Sequence, residues 1–194
     1  METWWVLKLK IALSFKGKGI DCGYKGNTMH RSLYDNSYKL NRDKLYDTST
    51  WGIWREYVKP VEGSVVWCDL GVVEHSGIYV GNGKIVHLDG SGMVETVSYS
   101  EFMERLGGWN NAINVFVSCK NGKPVGSKKV AKIAKKWVGK KRGYSLLVDN
   151  CHRFSAGCIL DDFDEGEKFL YFNQLATICG DEMGVDEWGV WDTN

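Results

Sequence analysis

Cys151, His75 and His87 are the residues whose types and spacing can do covalent chemistry. Cys151 follows Asp149-Asn150, and either is a good helix N-cap. Phe154, Cys158 and Ile159 give the following turns an apolar side. Cys151 therefore belongs to the first turn of a predicted helix, where unpaired N–H groups and the helix dipole favour a thiolate. A histidine nearby in space can take the proton or pair with the thiolate. The plain alternative is a packed, unreactive cysteine.

The histidines stand at the open ends of one stretch, His75-Ser76-Gly77-Ile78-Tyr79-Val80-Gly81-Asn82-Gly83-Lys84-Ile85-Val86-His87. Two apolar runs flank an Asn-Gly pair, the strongest short-range hairpin signal. A two-residue loop at Asn82-Gly83 pairs Ile78 with His87 and sends His75 to the opposite face. A three-residue loop, Gly81-Asn82-Gly83, pairs Gly77 with His87 instead. The second register puts His75, Gly77, Tyr79, Ile85, His87 and Asp89 on one, mostly polar face. Ser76, Ile78, Val80, Lys84, Val86 and Leu88 take the other. Because a one-residue slip would bury His87 beside Ile78, the three-residue loop is the expected one. Gly77 is then expected to leave open space opposite His87.

These elements need a core to hold them. The length of 194 residues suits one domain with an appendage. Trp5 to Phe15 alternates as a strand, Asp21 to Asp47 is polar and loop-like, and Trp51, Trp54 and Tyr57 approach helical spacing. Those aromatics read as packing, with a substrate-facing wall as the sharper alternative. His30 reads as structural or exposed. We place an N-terminal appendage at 1–60, a core at 61–160, and an acidic C-terminal extension at 161–194 that packs on the core. Val65-Val66-Trp67 and Met93 to Val97 read as strands. Ser98 and Glu101 form a capping-box pattern for a helix carrying Phe102, Met103 and Leu106 and ending at Gly107-Gly108. Ala112 to Cys119 reads as a strand turned by Asn121-Gly122. Ser127 caps an amphipathic helix with Val130, Ile133, Ala134 and Trp137 on one face.

A net charge of +1 argues against a dedicated nucleic-acid binder. The lysines Lys128, Lys132, Lys135 and Lys136 lie opposite the apolar helix face. The plain reading is solvation; the sharper one is peripheral contact with an anionic membrane surface. Nine tryptophans suit surfaces apolar at one end and wet at the other. The six cysteines form no C-x-x-C pair, so no structural zinc is expected. No signal peptide or transmembrane stretch is legible, and a soluble, cytoplasmic protein with free thiols is the expectation.

The histidine stretch, followed by Asn150-Cys151-x-x-Phe154 and preceded by Glu62-Gly63-Ser64-Val65-Val66, resembles the lecithin:retinol acyltransferase-like family. That family includes H-rev107-type phospholipases/acyltransferases and is a circularly permuted branch of the NlpC/P60 papain-like superfamily. The resemblance implies an α+β fold, an antiparallel sheet packed against the Cys151 helix. It makes Cys151 the nucleophile, His75 the general base and His87 the third polar member. Asn150, Tyr79, Gly77 and Asp89 are possible supporting residues; Asp89 either orients His87 or serves a turn. Where family members commonly carry Glu-His after Asn-Cys, this chain has His152-Arg153. His152 neighbours Cys151 but does not face it in a helix.

Three function classes follow. The first is a cysteine-dependent acyl hydrolase or acyltransferase working through a thioester, without a cofactor. Its substrates are lipid acyl esters or, from the wider superfamily, peptide or peptidoglycan amides. The second is a catalytically silent papain-like interaction module. The third, a metal protein using His75, His87 and Cys151, is less favoured because a helix-start thiolate needs no metal.

Overall fold

A computed structural model describes residues 57–69, 74–104, 114–142, 150–166 and 171–194. The expectations for Trp5 to Phe15, Asp21 to Asp47, His30, Trp51 and Trp54 lie outside these residues, as does the stop at Gly107-Gly108. The described strands are β1 (Tyr57–Val58), β2 (Val65–Asp69), β3 (Glu74–Gly81), β4 (Lys84–Leu88), β5 (Val94–Val97), β6 (Phe116–Lys120), β7 (Lys123–Pro124) and β8 (Glu187–Trp191). The helices are α1 (Tyr99–Met103), α2 (Lys128–Trp137), α3 (Cys151–Leu160), α4 (Phe163–Gly166) and α5 (Phe172–Met183). One sheet runs in the order β1-β8-β6-β2-β3-β4-β5, with β7 paired to β6. Its neighbours are antiparallel except β1 with β8. The fold is α+β, as expected.

Strand alternation divides the core in two. Val65 and Trp67 of β2, Ile78 and Val80 of β3, and Val86 and Leu88 of β4 pack with apolar residues of α2, α3 and α5. Val66, Cys68, Ile85, Val97 and Val117 point the other way, where Phe102 of α1 and Trp191 of β8 join them. Trp67 stacks on Phe116 and Phe172, with ring centroids 4.9 and 4.1 Å apart, and meets Trp188 edge-on. The acidic tail thus supplies a helix and a strand to this core. Strand β8 lies between β1 and β6.

The hairpin has the expected register by a different route. Ile78 pairs with Val86 and Tyr79 with Ile85, which sets Gly77 opposite His87. The turn, however, is the two-residue Asn82-Gly83, with φ of 53° and 68°. Gly81, at φ 92°, pairs with Lys84, and a bulge between Tyr79 and Gly81 absorbs the extra residue. A bulge plus a two-residue turn shifts the pairing as a three-residue loop would.

Two helix starts follow their sequence signals. Ser98 and Glu101 make both bonds of a capping box at α1, and Phe102 is buried. The Ser127 side chain accepts from the Val130 N–H at α2. Val130, Ala131, Ile133 and Ala134 are buried along that helix.

Candidate active site

Asn150 caps α3 and so fixes where Cys151 stands. Its side-chain oxygen accepts from the His152 and Arg153 N–H groups at 3.0 and 3.1 Å. The Cys151 thiol is then the first side chain of the helix, 4% exposed. It donates to the Glu74 carbonyl at 3.8 Å, so the helix start abuts the residue preceding His75. Burial pushes the thiol up to about 11. The N–H and hydroxyl of Ser76 and the N–H groups of His152 and Cys151 oppose that shift without overcoming it. The helix-start donors thus act as expected, but a resting thiolate is not what this geometry favours, because desolvation of the charge is the larger effect.

His75 and His87 do meet. Nε2 of His75 lies 3.0 Å from Nδ1 of His87, and the rings cross nearly at right angles. The face they share is not the open polar one expected. His87 is fully buried and Phe102 of α1 packs against both imidazoles, at ring distances of 4.7 and 5.7 Å. Nor does Gly77 leave open space. A Cβ there would sit 2.7 Å from the Ile85 side chain and 2.9 Å from the Val86 carbonyl. Gly77 lets the two strands approach closely instead.

The supporting residues separate. Asp89 accepts from the Ser91 N–H, the Ser91 hydroxyl and the Met93 N–H at 2.7–2.8 Å. It closes the β4–β5 turn. The acid beside His87 is Glu95, its cross-strand partner in β5, with Oε1 3.3 Å from His87 Nε2. The length of the 89–93 turn decides this register, and nothing in the sequence reading set it. Tyr79 accepts from the Gly83 N–H and packs on Trp191, at the turn end of the hairpin.

Three further residues frame the site. Ser76 turns to the helix side, where its hydroxyl meets His152 Nδ1 at 2.9 Å and the Ser155 hydroxyl at 3.1 Å. Burial pulls His152 down to about 3, so it is a neutral imidazole. A serine on an otherwise apolar strand face was the available signal. Cys68 is the β2 partner of His75, and burial first, then the charge of Cys151, pushes its thiol far up. Of these two thiols, only Cys151 is given helix-start donors. Among the described residues, no three His, Cys, Asp or Glu side chains are placed to hold a metal ion. The five described cysteines are free.

The lecithin retinol acyltransferase family model matches residues 58–164, more than half of the chain. The chain belongs to this family. That range contains His75, His87, Glu95 and Cys151. The chain is also similar to the genome polyproteins of avian encephalomyelitis virus strains L2Z and Calnek vaccine, 28% identical over 144 residues. The alignment covers 69% of this chain and 6% of each polyprotein, so the chain spans a small part of these relatives. The family is named for acyl transfer. No helix among the described residues is long and apolar enough to cross a membrane.

Proposed function

We propose that the chain is a cysteine acyl hydrolase or acyltransferase of permuted papain-like fold, acting on lipid acyl esters through a Cys151 thioester. The observation that carries this reading is the contact of His75 with His87 beside a helix that begins at a capped Cys151. In the reaction His75 takes the thiol proton as Cys151 Sγ attacks the acyl carbonyl. The Cys151 N–H, at the helix start, is a donor for the developing oxyanion. Collapse breaks the ester bond, and His75 returns the proton to the leaving alcohol. Water, an alcohol or an amine then resolves the thioester. Raised by burial, the thiol stays protonated at rest, and attack coincides with proton transfer to His75.

The lysine face of α2 adds attraction to an anionic lipid surface. Lys135 pairs with Glu62 at 2.6 Å and Lys129 with Asp161 at 3.3 Å, while Lys128, Lys132 and Lys136 extend the same basic face. One observation favours a second reading, the silent papain-like module: the nucleophile is buried and its thiol raised.

Intact-mass analysis with a fluorophosphonate lipid analogue and an electrophilic peptide, on wild type and Cys151→Ala, separates the readings. We expect a lipid adduct on wild type, none on Cys151→Ala, and ester turnover abolished by the substitution. A peptide adduct alone would move the substrate to amides. No adduct from either probe would favour the silent module. Undiminished turnover in folded Cys151→Ala would overturn the assignment.

A further inference from the structure

The His75–His87 contact leaves one question of proton placement, and the neighbour in β5 answers it. A neutral imidazole carries one proton, so one ring nitrogen donates and the other accepts. His75 Nε2 and His87 Nδ1 lie 3.0 Å apart, so one of the two holds the proton between them. If His87 Nδ1 holds it, a neutral His75 must carry its own proton on Nδ1 and has no bare nitrogen left for a thiol. If His75 Nε2 holds it, His75 Nδ1 is bare and basic. The pair alone does not choose.

Glu95 chooses. It stands opposite His87 in the antiparallel register, and its Oε1 lies 3.3 Å from His87 Nε2. A carboxylate only accepts, so it favours a proton on His87 Nε2. His87 Nδ1 is then bare and accepts from His75 Nε2–H, which leaves His75 Nδ1 as the basic nitrogen. At 3.3 Å the two groups are within ion-pair distance, but the ring nitrogen and the carboxylate are not aligned as a hydrogen bond. Such contacts are often long in an unliganded site and tighten with substrate. The Glu95 side chain is 37% exposed, whereas His87, at 0%, is fully buried.

We propose that Glu95 is a positioning residue that sets the tautomers of both histidines and stabilises the imidazolium formed when His75 takes a proton. No proton passes to Glu95: His75 gains one on Nδ1, keeps the other on Nε2, and the carboxylate opposes the added charge through His87. This rests on the reading of Cys151 and His75 as nucleophile and base. A purely structural Glu95 would be a cross-strand pair whose loss costs stability and moves no ring proton.

Long-range proton–nitrogen NMR of the full chain labelled at histidine reads the tautomers directly and needs no turnover. The variants are Glu95→Gln and Glu95→Ala, with His75→Gln and His87→Gln used to assign signals. In wild type we expect His87 and His75 both protonated on Nε2. Glu95→Ala should populate the Nδ1–H form of both rings. Glu95→Gln, which still offers an amide oxygen, should keep the wild-type tautomers. Alkylation of Cys151 by iodoacetamide at pH 7, mapped by peptide mass, should slow about 10-fold in Glu95→Ala and less in Glu95→Gln, a part of the usual acid–base contribution. His87 protonated on Nδ1 in wild type, or unchanged tautomers in folded Glu95→Ala, would overturn the proposal. Turnover in Cys151→Ala would instead overturn the nucleophile assignment, and the tautomer result would be unaffected by it.

Discussion

His152 and Cys151 are neighbours in the chain, and burial acts on both in the same sense: it penalises the imidazolium of one and the thiolate of the other. For His152 this has a consequence for stability. Its ring is held neutral down to about pH 3, against an ordinary value of 6.5. As pH falls through 6.5 the unfolded chain binds a proton at this ring and the folded chain does not. The stability is therefore complete above about pH 6.5 and is lost as pH falls toward 3. Denaturant titrations of wild type and His152→Gln at pH 7 and pH 4 measure the effect. Gln keeps a donor for the Ser76 hydroxyl but cannot titrate. Wild type should lose on the order of 2 kcal/mol more than the variant between the two pH values. Equal losses would mean that His152 charges within the folded protein. The same comparison bears on the departure at this position, where His152 serves the Ser76 hydroxyl, which in turn meets that of Ser155 on the helix side.

The β3–β4 hairpin is the element that positions both histidines, and its glycines do different work. Gly83 has φ of 68° with nothing near its missing Cβ. Gly83→Ala should cost about 1–2 kcal/mol for a left-handed residue and leave turnover at saturating substrate unchanged. Gly77 has the opposite problem, since its Cβ would meet the Ile85 side chain and the Val86 carbonyl. Gly77→Ala should cost about 1–3 kcal/mol and, by parting the strands beside His87, lower turnover as well. Thermal unfolding paired with ester hydrolysis separates the two; equal activity in both variants would remove Gly77 from the site's geometry. Much of this element was legible in the sequence, because one register alone keeps His87 off the face that carries Ile78. The bulge was not, since a bulge and a longer loop produce the same pairing. Glu95 was not legible either. Its place depends on the turn that Asp89 closes, and Asp89, nearer to His87 in sequence, was the more visible acid. The Asn150 cap and the α1 capping box were readable because they rest on contacts within three residues.

The whole molecule extends its core past the family match, which ends at residue 164. Phe172 of α5 stacks on Trp67, and Trp188 of β8 meets the same ring edge-on. Strand β8 pairs with β6 from Phe116↔Val190 to Cys119↔Glu187 and with β1 on its other side. Gly189 fits so closely that a Cβ would lie 2.7 Å from Val58 and 3.1 Å from the Cys119 sulfur. An acidic composition hides this, because the apolar residues of 172–191 that enter the core are spaced among exposed acids. Removing residues 162–194 would uncover Trp67 and leave β6 without its β8 partner. We expect that variant to lose cooperative thermal unfolding, read by tryptophan emission. Trp188→Ala is the milder test and should cost about 3–5 kcal/mol, the usual range for emptying a buried aromatic site. A truncated chain with the wild-type midpoint would show that α5 and β8 only cover a core complete without them. Loss of folding in both variants would mean that the site between β3, β4 and α3 depends on residues far outside the motifs that reveal it. The Cys151 helix and the histidine hairpin pack on Trp67's side of the sheet through Phe154, Ile78 and Val86. The tail thus packs behind the strands that carry the two imidazoles.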